Sequence, residues 1–548
     1  MAGGTWGDQN KVRPGVYINY KSAPSTLATM GERGTVAIAR VLDWGERGKF
    51  YTIADPSDCE QFGHAITDDE CLFIRQILLG TNRTQGASKI LLWSEETPTG
   101  VATAASKTIG TQGSSIITFT AKAEGEAGNK ISFSWTADSG SGSTFTLKND
   151  GVVVGTVTSQ IIANSLSTAI SANADMNALI SVTGEGQFTG AQEETLLTGG
   201  QNAGASKASA TIGNLVATAK YYGSFGNRLS VVVTAGESSN FIVQTLLDGQ
   251  TVDSQVVTAI SGLVANDYVV WSGTGALAAN TGVALTGGTN GEASITNYNA
   301  FLSALEVQRF DILIYDGTDV STKAAVAAFV KNQSNNEGVK CQAVVSNYNT
   351  PDSECVISVY PQSVTLTDGT VLAAEQLTWW IGGCSAGAKQ NESITYTAYP
   401  DAVSVSPILT AQQQREAISN GHIALISEFG DNKILTDINT FRTLSVEKGQ
   451  PFKKNRVIRT LFGVCNDVYE VFSRYYIGAV NNNEEGRKTL KAEIMNILNR
   501  YQGMQALQNV DVDDITVLKG SDSDAVVIEI YMQPVDSIEK IYINITIS

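Results

Sequence analysis

The sequence predicts a mixed α/β and all-β multidomain protein. An α/β core domain is interrupted by two tandem β domains and followed by an α+β C-terminal domain, with extended arms at both termini. Three observations predict this. Composition shifts sharply near Pro98, a pair of motifs recurs within the shifted stretch, and helix and strand patterns alternate on either side of it. The chain has 548 residues, which at ~100–200 residues per domain gives roughly three to five domains. With 42% hydrophobic and 17% charged residues it has the apolar content for real cores, so global disorder is excluded.

The first element is an N-terminal arm over residues 1–25. Pro14-Gly15 prevents a helix, and Val16 and Ile18 alternate with Tyr17 and Asn19, so Lys11–Tyr20 reads as extended. Residues 26–98 form the first part of the α/β domain. They read as strands Gly34–Leu42 and Lys49–Ile53, a helix from about Ser57 to Leu79, and strand Lys89–Trp93. Its second part, 293–436, continues with a helix, strand Asp311–Tyr315, helix Ser321–Asn332 and strand Lys340–Val345. Such alternation implies a largely parallel sheet.

Between these parts, residues 97–293 hold 27 of the 52 glycines but 7 of the 37 Lys+Arg. Short alternating runs such as Ile116–Thr120, Ile131–Trp135 and Leu229–Thr234 mark β structure. Ala121-Lys122-x-x-Gly125-x-x-Gly128-Asn129 recurs 98 residues later as Ala219-Lys220-x-x-Gly223-x-x-Gly226-Asn227, and Leu197-Thr198-Gly199-Gly200 recurs 88 residues later at Leu285–Gly288. The two copies are therefore 99–203 and 204–292. The second is shorter, and the helix-like Ile161–Ile180 is where the difference is expected. The glycines read as turns and bulges rather than a phosphate loop.

Residues 437–548 close the chain. They contain apolar-rich helices Arg456–Tyr476 and Gly486–Tyr501, a strand in which Val526, Ile528 and Ile530 alternate, and a last strand in which Ile541, Ile543, Ile545 and Ile547 alternate. Four isoleucines on one face, with two open backbone edges, need a partner.

Charge and residue usage narrow the function. A formal net charge of −17 argues against nucleic acid as the main partner. No apolar run reaches the ~18 residues of a membrane span, so no direct membrane insertion is expected. The opening residues lack an apolar signal core, and assembly in a cytoplasm is the expectation. Six scattered cysteines and two histidines, His64 and His422, suggest neither disulfides nor a zinc site. No cofactor or metal is expected. Residues 1–50 carry 7 Lys+Arg against 4 Asp+Glu, and residues 442–474 carry 7 against 3. An acidic body with basic ends suits head-to-tail association of like subunits.

One catalytic-looking motif is present. Gly383-Cys384-Ser385-Ala386-Gly387 fits G-x-S-x-G, and Asp401 and His422 follow in hydrolase order. A serine hydrolase would need Ser385 on a sharp turn leading into a buried helix, whereas the residues that follow, Ala388–Ser393, are mostly polar and turn-like. The acidic cluster Asp68-Asp69-Glu70 lacks EF-hand spacing and reads as a solvated face. Trp379-Trp380 reads as packing.

Several segments resemble one family. Gly3-Gly4-Thr5-Trp6, Asn10–Asn19, Gly34-Thr35-Val36 with Trp44-Gly45, Trp380–Gly383 with Ser393–Tyr396, Arg456–Leu461 and Ile477-Gly478 with Asn481-Asn482 resemble contractile tail sheath proteins of Gram-positive phages and phage-like elements. The Gly-x-x-Gly-Asn motif is similar to one in the sheath β domain. The duplicated β domain departs from the pattern. The resemblance implies a non-enzymatic virion subunit, or a subunit of a phage-tail-like bacteriocin particle, that polymerises with itself as stacked hexameric rings around a tail tube. It implies tail tube, baseplate and tail terminator proteins as partners. It also implies inter-subunit arms, here Val12, Arg13, Val16, Ile18 and Ile541, Ile543, Ile545, Ile547, that add strands to a neighbour's edge at Val526, Ile528 and Ile530. The competing class is the Ser385 hydrolase.

Overall fold

The computed structural model describes residues 33–547 apart from 99, 112–114, 139 and 238, together with the pairs Gly3–Gly4 and Val16–Tyr17. Val12, Arg13 and Ile18 lie outside the described residues. The chain divides into two compact units. One is 1–32 with 460–535, and the other is 33–459 with 536–548.

In the larger unit a seven-stranded sheet runs in the order 422–423, 356–359, 342–346, 312–315, 35–40, 89–94, 49–53. Every neighbouring pair is parallel except the edge strand Lys49–Ile53, which pairs antiparallel with Lys89–Ser94. Sheets of this kind are covered on both faces, which is why the strands read as near-continuous apolar runs such as Val36-Ala37-Ile38 and Ala343-Val344-Val345, all fully buried. Val36, Ile38, Ile90, Leu92, Ile312 and Ile314 pack with helices Leu72–Leu79 and Leu377–Gly387. The opposite side chains Phe50 and Trp93 meet Phe301 of helix Ile295–Leu305.

The helix expected over Ser57–Leu79 is broken into three pieces: a 3₁₀ segment Pro56–Phe62, a second at Asp69–Cys71, and the α-helix Leu72–Leu79. Asp55 caps the first, and Gly63 ends it at φ 83°, where a side chain would be strained and would meet Trp44.

Two β-sandwiches interrupt this layer, each a four-stranded and a three-stranded sheet. The first buries Phe119, Phe133, Phe145 and Trp135. The second buries Val231, Val233, Val243 and Phe225. Where the first carries helices Ala163–Ser171 and Ala174–Leu179, the second has a 3₁₀ turn, Ile260–Gly262. Both repeated motifs serve one lock. Asn129 donates to the Gly200 carbonyl and accepts from the Gly200 N–H, each at 2.9 Å. Asn227 does the same with Gly288. Gly128 and Gly226 sit where a Cβ would lie 2.9 Å from Ala121 and Ala219 respectively. The motif is thus an internal clasp between a 3₁₀ segment and a loop distant in sequence.

In the smaller unit, helices Asn455–Tyr475 (which begins in the larger unit) and Glu484–Gly503 contribute Val464, Val471, Ile494, Ile497 and Tyr501 to one core. The Tyr501 hydroxyl bonds Asp467 at 3.0 Å. A hairpin of Ile515–Lys519 and Val526–Ile530 packs on it through Ile515, Ile528 and Ile530.

Candidate assembly surfaces

The hairpin is a two-stranded sheet. One edge of Val526–Ile530 is paired to Ile515–Lys519, from Val526 opposite Lys519 to Ile530 opposite Ile515. Among the described residues the other edge carries no ladder partner. Val526, Ile528 and Ile530 are half-buried, while Val527 and Glu529 are exposed, so an arriving strand would find one apolar and one polar face.

The isoleucine alternation predicts a strand in the terminal segment. Among the described residues Ile541–Ile547 joins no ladder of its own chain, and Ile541, Ile543, Ile545 and Ile547 are 77%, 75%, 83% and 91% exposed. The residues just before it are anchored to the larger unit. Lys454 pairs with Glu539 and, at 3.3 Å, with Asp536, and the Thr395 hydroxyl donates to Glu539 at 3.0 Å. Side chains at 536–539 thus tether the chain, and the segment that follows projects its isoleucines into solvent. At the other terminus, Val16-Tyr17 pairs in parallel with Gly3-Gly4.

Part of the basic stretch 442–474 is paired within the chain. Lys448 pairs with Glu354 at 2.5 Å and Arg474 with Glu470 at 2.7 Å. Arg459 and Asp437 form a fully buried pair at 3.4 Å. Several of its cations are therefore engaged within the chain. Lys454, which holds the start of the terminal segment, is not legible in the sequence, since Glu539 lies 85 positions away.

The hydrolase constellation is not assembled. Ser385 lies in the last turn of the helix Leu377–Gly387 and is fully buried. A Cβ at Gly383 would lie 2.0 Å from the Ile77 carbonyl, and one at Gly387 2.1 Å from that of Gly86. The small residues therefore permit close packing. His422 bonds the Ser358 hydroxyl at 2.9 Å, and burial holds its pKa down to about 4. Asp401 accepts from Gln76 at 3.0 Å and from Thr367. Trp380 is buried and stacks on Tyr399 at 3.9 Å.

His64 gathers more than its sequence neighbourhood indicated. Nε2 lies 2.7 Å from Asp43, and Nδ1 lies 3.2 Å from Asp68 and 3.8 Å from Glu70. These groups come within reach of a shared cation, but both ring nitrogens already have protein partners. The Phe225 ring of the second sandwich packs edge-on against the imidazole at 5.4 Å.

Residues 447–548 match the phage tail sheath C-terminal domain, residues 291–440 the phage tail sheath central domain, and residues 203–290 the phage tail sheath beta-sandwich domain. The crystal structure of the sheath tail protein from Desulfitobacterium hafniense is 33% identical with a TM-score of 0.69, over 96% of this chain and 99% of that one.

The chain belongs to the phage tail sheath family.

Bacillus subtilis strain 168 supplies two further relatives. YqbK is 28% identical over 561 residues, spanning 100% of both chains. The phage-like element PBSX protein XkdK is 32% identical over 284 residues, covering 50% of this chain and 60% of that one. The sheath β-sandwich match falls on the second sandwich. The open hairpin edge and the exposed isoleucine segment both lie within the sheath C-terminal match.

Proposed function

We propose that this chain is the structural subunit of a contractile tail sheath, polymerising as stacked hexameric rings around a tail tube and contracting to drive the tube through a host envelope. The observation that carries the reading is a complementary pair within one chain: four exposed alternating isoleucines at Ile541–Ile547 and a strand edge at Val526–Ile530 that no described residue pairs with. A neighbouring subunit's edge accepts the C-terminal strand, and the N-terminal arm around Val12, Arg13, Val16 and Ile18 adds a second. Each added strand contributes main-chain hydrogen bonds and apolar burial at ~25 cal/mol per Å². Arms that are covalently continuous with the bodies stay paired while the bodies rotate. The tail tube, baseplate and tail terminator proteins are the remaining partners, and the virion tail is the site of action.

Electron microscopy of the purified protein tests this. Tubes or rings that form without a cofactor are expected. A protein that stays monomeric at high concentration, in low and moderate salt and with tail tube present, contradicts it.

A further inference from the structure

A cavity of about 580 Å³ lies between the first sandwich and the α/β layer, within the size range of small-molecule sites. Glu95, Glu126, Asp150, Glu292 and Asp319 line it against a single basic residue, Lys130. Lys130 is already paired with Asp319, whose second oxygen accepts from the Thr322 N–H at 2.8 Å. The lining therefore keeps four carboxyl groups without a basic partner in it.

Among the described residues, two buried polar atoms belonging to this lining, Glu95 Oε1 and Tyr298 Oη, have no hydrogen-bond partner. Glu95 is 7% and Tyr298 5% exposed. An unsatisfied buried polar atom costs ~1–3 kcal/mol, so two in one cavity mark a place for a ligand. A carboxylate accepts hydrogen bonds, and a phenol oxygen also carries lone pairs, so the matching ligand group is an N–H or O–H donor. The acidic lining selects a positive one. The Tyr298 and Tyr315 rings, edge to face at 5.1 Å, add the aromatic surface that favours an organic cation. A bare divalent ion needs converging oxygens. Among the described residues the converging set is His64, Asp68 and Glu70, elsewhere in the fold.

We propose that this cavity binds an organic ammonium ion of the primary-amine or polyamine class, with Glu95 and Tyr298 receiving its N–H groups. The site joins the first sandwich to the α/β layer and does not depend on the sheath reading.

Isothermal titration of the full chain with spermidine at pH 8 tests it, with Mg²⁺ and NaCl at matched ionic strength as controls. Saturable spermidine binding is expected, weakened at least tenfold by Glu95→Gln and severalfold by Tyr298→Phe. The second variant keeps the ring and removes only the hydroxyl. Binding should also strengthen from pH 6 to pH 8. Burial and the charge of Asp316 push the Glu95 carboxyl up to about 7 against the opposing pull of Arg40. Its other titratable neighbours, Tyr298 and Tyr315, stay neutral in this range because burial raises both. No saturable heat, equal binding by wild type and both variants, a flat pH response, or Mg²⁺ displacing spermidine at equal concentration would each overturn the proposal.

Discussion

The first sandwich and the second close on themselves with the same Asn–Gly clasp, yet they join the α/β layer by different means. The second shares its core with that layer: Trp44 is buried among its side chains, 4.7 Å from Phe225 and 5.1 Å from Tyr221. Gly223 presses so closely on Asp43 that a Cβ would lie 1.9 Å from its carbonyl oxygen. Among the described residues, the first sandwich's core cluster draws only on residues 105–197. It meets the layer through the Lys130–Asp319 pair, an Asn202 to Ala293 bond at 3.1 Å, and the acidic cavity. Apolar fusion ties the second domain's folding to the layer. A polar, part-open junction predicts that the first folds by itself, and it is the second that carries the family's β-sandwich match.

Excision gives the largest contrast. Replacing 99–203 with a short linker should leave a folded protein that still assembles, whereas replacing 204–292 should expose Trp44 and His64 and abolish soluble protein. Circular dichroism and electron microscopy read both. Equal damage from the two excisions would show that the two junctions bind their sandwiches alike. Trp44→Ala should then cost ~3–5 kcal/mol in denaturant unfolding of the second sandwich and leave the first unchanged.

Glycine substitutions sharpen the difference. Gly223 at φ 123° abuts rigid backbone, while its counterpart Gly125 at φ 110° faces the Asn202 side-chain oxygen at 2.8 Å. Both carry the strain of a positive φ, ~1–3 kcal/mol, but only Asn202 can turn away. Gly223→Ala should therefore destabilise clearly more than Gly125→Ala in parallel urea melts.

The smallest effect is a pH dependence at the second junction. Burial pushes the His64 imidazole towards neutrality, but Asp43, Asp68 and Glu70 outweigh it and hold its pKa above the ordinary value. The protonated ring's contribution is complete below about pH 6.5 and is lost as pH rises through the raised native value. The stability advantage of wild type over His64→Gln should shrink between pH 6 and pH 8.5. An advantage that is constant across that range contradicts the ion-pair account.

Local pattern makes much of this fold legible. Apolar runs in Thr35–Arg40 and Gln342–Ser346 announce a buried parallel sheet, and the two spaced motifs announce two similar β units. What the pattern misses is tertiary. The apolar stretch before Leu79 reads as one helix because nothing in its periodicity shows that Gly63 must turn under Trp44. Ser385 reads as a possible elbow because a string of small residues looks like a turn until a second helix is found against it. His64 and Asp43 lie 21 residues apart, and Glu95 and Tyr298 are far more widely separated. No spacing rule links either pair. For the assembly surfaces, the isoleucine alternation is visible in the sequence, whereas the Lys454–Glu539 anchor that fixes where the free segment begins is not.

In the proposed sheath, the C-terminal segment joins subunits by strand addition. Replacing Ile543 and Ile545 together with Asp tests it most directly, because both side chains are exposed in the single chain and the change leaves its cores intact. Analytical ultracentrifugation and electron microscopy of this variant should find a folded, soluble monomer with the wild-type melting midpoint and no tubes. Contractile tubes built by the Asp variant would contradict the claim.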